Sequence, residues 1–103
     1  MAIKQKLTLV AAPGSNLINL DDWAKASLPE EEFPLFEAAK ARHNAFVASK
    51  ATSVDHENGE VIFADENKVT EANPLDGDMD FLFYWYRYLQ ENGITVNQTT
   101  ETV

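Results

Sequence analysis

The chain has no cysteine. That excludes disulfides, thiolate zinc sites, iron–sulfur clusters and thiol nucleophiles together. Basic residues are scarce, with eight Lys and Arg against seventeen Asp and Glu, for a formal charge of −9. There are only four glycines, at positions 14, 59, 77 and 93. Each falls at an expected turn or helix end, so no glycine-rich phosphate cradle can be built from them. Gly-x-Gly-x-x-Gly, the phosphate-loop lysine motif and His-Glu-x-x-His are all missing. No stretch approaches the ~18 apolar residues of a membrane helix, and Met1–Lys6 is not followed by a signal-peptide core. The expectation is a soluble, cytoplasmic chain with no membrane partner.

What is present fits one domain spanning residues 1–103. A chain of this size buries roughly 65% of its unfolded surface, and its 45% hydrophobic content can supply one modest core. The acidity is concentrated. Residues 55–80 hold nine acids and one base, Lys68, whereas residues 1–20 hold two lysines and no acid. Direct binding of that acidic segment to a nucleic-acid backbone is electrostatically opposed.

Alternation of Ile3, Leu7 and Leu9 with Lys4, Lys6 and Thr8 predicts a strand over 3–10, ended by Pro13-Gly14. Asp21 is placed to cap a short helix over 22–27. Ser27-Leu28-Pro29-Glu30 has capping-box spacing, and Pro34 is tolerable in a first turn. A main helix therefore starts between 29 and 34 and runs to about Lys50. Its apolar face is Leu35, Phe36, Ala39, His43, Phe46 and Val47. Asn58-Gly59 predicts a two-residue type I′ hairpin that sets Glu57 opposite Glu60 and His56 opposite Val61. Residues 65–77 read as a polar connection with turn signals at Asn73-Pro74 and Asp76-Gly77.

Six of the eight residues from Phe81 to Tyr88 are aromatic. Phe81, Leu82, Trp85, Tyr88 and Leu89 recur at helical spacing. Asp78 or Asp80 can cap the start and Gly93 the end, which predicts a helix over 79–92. The alternative is that 81–89 form a strand of a mainly β oligomeric fold, since a short run apolar on both faces cannot be typed by periodicity alone. Ile94–Val96 is a last strand, with a loose end from about 99. The class is α+β with element order β-α-β-β-α-β, which a ferredoxin-like split arrangement satisfies.

Asp76, Asp78 and Asp80 alternate as calcium loops begin, but Phe81 and Arg87 occupy the sixth and twelfth positions, where glycine and glutamate are needed. No metal or cofactor is implied. His43 and His56 fall on apolar faces and read as core histidines; the weakest functional reading is a small enzyme with a His/carboxylate site. A helix apolar nearly all round carries more aromatic surface than a two-layer domain can cover. Phe83, Tyr84 and Tyr86 are therefore expected at an interface, with Arg87 fixing orientation. The leading expectation is a non-catalytic interaction or assembly protein that self-associates or binds a protein partner there. The alternative is an inhibitor imitating nucleic-acid phosphates through Asp55, Glu57, Glu60, Asp65, Glu66, Glu71, Asp76, Asp78 and Asp80.

Overall fold

The computed structural model describes residues 1–73 and 77–103. Its elements are β1 (Ile3–Val10), α1 (Leu20–Ser27), α2 (Phe33–Lys50), β2 (Ser53–Asp55), β3 (Glu60–Phe63), α3 (Glu66–Glu71), α4 (Met79–Asn92) and β4 (Thr95–Thr102). The α+β class stands, and the aromatic run is helix, so its reading as a strand of a mainly β fold is excluded. The sheet order is β2-β3-β1-β4, with every neighbouring pair antiparallel. Each helical crossover skips one strand, which is the split βαβ order. Both helices read between β1 and β2 are present, although the expected order counted them as one, and the addition is the short α3 within the connection read as polar loop.

Register decides which side chains face the helices. Ile3 pairs with Phe63 and with Thr102, Gln5 with Val61, and Val61 with Val54. These share one face with Leu7 and Leu9, because alternate strand residues point the same way. Ile3 and Phe63 are buried there, and Leu9 packs on the core. On the opposite face, Lys4 reaches Glu101 at 2.8 Å and Glu60 at 3.7 Å, bridging three strands. β4 runs past residue 99: Thr99–Thr102 pair with Lys6–Ile3, and the Val103 N–H donates to the Ala2 carbonyl.

The β2–β3 hairpin differs from the two-residue turn. Asp55 pairs with Glu60 and Val54 with Val61, leaving His56–Gly59 as the loop. Only Gly59 takes positive φ; Asn58 does not. The Asp55 carboxylate accepts from the Glu57 and Asn58 backbone N–H groups and from the Asn58 amide, which tightens a longer loop. Pairing slides by two residues, so Val54, Val61 and Phe63 keep their common face. His56, however, leaves the strand and is exposed, and the expected Glu57–Glu60 opposition is replaced by Asp55–Glu60.

α1 begins earlier than expected because Asn19, not Asp21, is its cap: its side chain accepts from the Asp22 N–H at 2.8 Å. Asp21 is left to pair with Lys40 at 2.6 Å. α2 starts at Phe33 without a side-chain cap, and Pro34 sits in its first turn. α4 runs over the predicted residues, capped by Asp78 through the Phe81 N–H at 2.9 Å. Gly93 closes it in the left-handed region, and the Ile94 N–H folds back to the Leu89 carbonyl.

The core lies where α1, α2 and α4 meet above the sheet: Trp23, Ala24, Leu28, Phe36, Tyr84, Tyr88 and Ile94. Phe36 and Tyr88 have no exposed surface. The Tyr88 hydroxyl donates to the Ile18 carbonyl, so this buried phenol keeps a partner.

Gly59 is required twice over. Its φ is +67°, and a Cβ there would collide with the Leu7 carbonyl oxygen on β1. Gly59→Ala should therefore cost about 1–3 kcal/mol, read as a lower urea midpoint at unchanged m-value.

Candidate functional site

On a 3.6-residue helix the positions opposite Phe81, Trp85 and Tyr88 are Met79, Phe83, Tyr86 and Gln90. The core takes the first set, so the second must face outward. Met79, Phe83 and Tyr86 are 59%, 59% and 60% exposed. Across a shallow groove Leu35 of α2 is 62% exposed. This groove, about 220 Å³, is lined by Leu35, Ala38, Arg42, Asp80, Phe83 and Tyr84.

Tyr84 belongs to the interior and not to the outward face expected for it. Its ring meets Phe36 edge-on at 5.5 Å, and its hydroxyl donates to Glu32 Oε1 at 3.1 Å. Burial, and then Glu32, push its pKa up, so it stays a neutral donor. Leu35 is corrected in the opposite sense. The buried arc of α2 is Phe36 and Ala39, with His43 and Val47 half-buried further along, and Leu35 lies outside it.

Arg87 links interior to surface. Its guanidinium lies 5.8 Å from the Trp23 ring centroid and 5.7 Å from that of Phe83. It also pairs with Glu91 at 3.4 Å and Glu32 at 3.8 Å. The Trp23 indole N–H donates to Glu91 at 3.2 Å. Two carboxylates thus hold one arginine against two rings, and that arrangement restrains Phe83 at the groove rim.

Among the described residues the acids do not converge. Asp55 shapes the hairpin loop, Asp65 caps α3 and Asp78 caps α4. Glu60 pairs with Lys4, and Glu71 lies between Lys50 and Lys68. Asp78 and Asp80 both pair with Arg42. Glu57 and Glu66 extend into solvent from the hairpin loop and from α3. Asp76 lies outside the described residues. Hydrogen bonds, chiefly from Asn58 to Asp55 and from Arg42 to Asp78, hold both carboxyls below the usual aspartate range. Among the described residues no three His, Asp or Glu side chains come together in a set that could hold a metal ion.

A second cleft, about 300 Å³, lies between the helix-facing side of the sheet and α2 and α3. Its lining includes Leu7, His43, Val47, Val61, Phe63 and Val69, and no carboxylate among the described residues. His43 stacks on Phe81 with ring centroids 4.2 Å apart. Its Nδ1 is buried without a hydrogen-bond partner among the described residues. Burial lowers its pKa, offset in part by Asp78. His56, in the exposed hairpin loop, adds no second imidazole to this lining.

No family model, curated protein or solved structure matches this chain.

Two outcomes follow from the burial pattern. Phe83→Ala and Tyr86→Ala should each change unfolding free energy by less than about 0.5 kcal/mol, whereas Phe36→Ala should cost about 3–5 kcal/mol; denaturant titration separates the two classes. The second concerns pH. Because His43 is harder to protonate folded than unfolded, the unfolded chain gains the proton first as pH falls through 6.5. Stability should fall as pH drops from that point toward the lower folded pKa. His43→Gln should flatten this stretch of the stability–pH curve.

Proposed function

We propose that this chain is a non-catalytic interaction protein whose docking surface is the outer stripe of α4, Met79, Phe83 and Tyr86, together with Leu35 of α2. One observation carries the reading. Three of the six aromatics between Phe81 and Tyr88 are already buried, and Phe83 and Tyr86 stand outward on the same stripe. A phenyl ring, a phenol and an adjacent restrained arginine are the composition of an interface centre.

Charge selects the class of partner. The chain carries −9. Both arginines beside the stripe, Arg42 and Arg87, are each held by two carboxylates. Two copies brought together across this face would oppose like charge, so the partner that fits is a basic segment with an apolar face. A helix laid along the stripe would seat an apolar side chain in the α2–α4 groove. The phosphate-imitating alternative has less support, because it needs a continuous row of free carboxylates.

The test uses two defined probes: an amphipathic Leu/Lys helical peptide and its Leu/Glu counterpart. The basic peptide should shift amide resonances of α4 and the first half of α2. Phe83→Glu/Tyr86→Glu should weaken it about tenfold or more, with the circular dichroism spectrum unchanged. Equal binding of both peptides, or resonance changes confined to other elements, would remove the proposal.

A further inference from the structure

The two edges of the sheet are unlike. β2 is three residues long, and its last residue is the acidic Asp55. Short length and charge are standard protection against strand addition. β4 is eight residues long, Thr-Val-Asn-Gln-Thr-Thr-Glu-Thr, with no proline and no lysine. Every residue of it but Val96 is exposed, including Gln98, Thr100 and Thr102 on the side that faces the helices. Among the described residues no helix therefore overhangs this edge. In an antiparallel ladder half of a strand's backbone groups point away from its neighbour, so β4 presents a row of donors and acceptors to solvent. Threonine at this density favours extended chain.

Charge again decides the occupant, and here it favours a second copy. Glu101 is the one ionised side chain on β4, and Lys4 neutralises it at 2.8 Å. Lys6 of β1 pairs with Thr99. In a chain of −9 this edge is a region without net negative charge, where two copies can approach with least repulsion.

We propose that β4 pairs antiparallel with β4 of a second copy about a two-fold axis normal to the sheet. The four strands of each copy then join into one sheet of eight. Because the β2 edge is protected, the assembly closes at two copies instead of growing into a fibre. The axis keeps the helices of both copies on one side. Whether Gln98, Thr99 or Thr100 sits on the axis, Glu101 faces Thr95, Asn97 or Thr99 of the other copy, so no like charges meet. The surface is independent of the α2–α4 groove, and a partner on that groove leaves β4 free.

The same registers supply the test. In each of them at least one of residues 98 and 100 lies opposite residue 98 or 100 of the other copy: 98 against 98, 98 against 100, or 100 against 100. Wild-type chain should move with concentration from 11.5 kDa toward twice that mass, measured by sedimentation equilibrium, with slowed hydrogen exchange at the outward amides of β4. Gln98→Lys/Thr100→Lys should remain at the single-chain mass, and so should Gln98→Glu/Thr100→Glu. An equal mixture of these two variants should recover the double mass, which also shows that both fold. Tyr86→Glu should leave the wild-type mass unchanged. A wild type that stays single at all concentrations, a dimer that survives both paired variants, a mixture that fails to recover, or a dimer split by Tyr86→Glu overturns the proposal.

Discussion

The structure depends on one packing event: the inner arc of α4 closing against Phe36 of α2 and Trp23 of α1. Tyr88 is its centre, 5.8 Å from the Trp23 ring and 5.6 Å from that of Trp85. A fully buried phenol is tolerable only with its hydroxyl satisfied. Tyr88 finds that partner in the Ile18 carbonyl, in the irregular stretch before α1. One hydrogen bond thus ties that stretch to the last helix. Burying such a ring contributes roughly 1.5–3 kcal/mol, so several of them together set the positions of three helices. With the inner arc committed, helix geometry turns Phe83 and Tyr86 to the opposite side, where they stay exposed among the described residues.

The concentrated acidity follows a second logic. Asp65 and Asp78 satisfy backbone N–H groups at helix starts, and Asp55 does the same within a loop. Anions at helix N-termini are favoured by the helix dipole as well as by the direct hydrogen bond. Glu60, Glu71 and Asp80 each sit beside a lysine or arginine. The charge that looks like one functional block along the chain is divided in space among a hairpin, a short helix and a long one. A partner docked as proposed above would meet it as a general field around the groove and not as a row of ligands.

Legibility along the chain was uneven for physical reasons. α4 and its caps could be placed because Asp78, the aromatic spacing and Gly93 are each local signals. β1 could be placed by its alternation. The hairpin could be located by Asn58-Gly59, but its register could not be read, because Asp55 reorganises the loop through side-chain bonds that stabilise four residues over two. α3 was missed: six residues capped by Asp65 give too short a window for periodicity to register. Tyr84 and Leu35 were assigned to the wrong sides for one reason. Periodicity gives the angle between residues on a helix but not where the neighbouring helix lies.

The order of residues alone determined the absence of cysteine chemistry, and it favoured the α+β class and an aromatic helix over 79–92 while leaving a strand there open. These rest on local hydrogen bonding, capping and composition. Tertiary structure decided which rings are core and which are surface, which acids are engaged, and which sheet edge is open. Those outcomes depend on helix–helix angles and strand register, and both are set by packing between residues far apart in the chain.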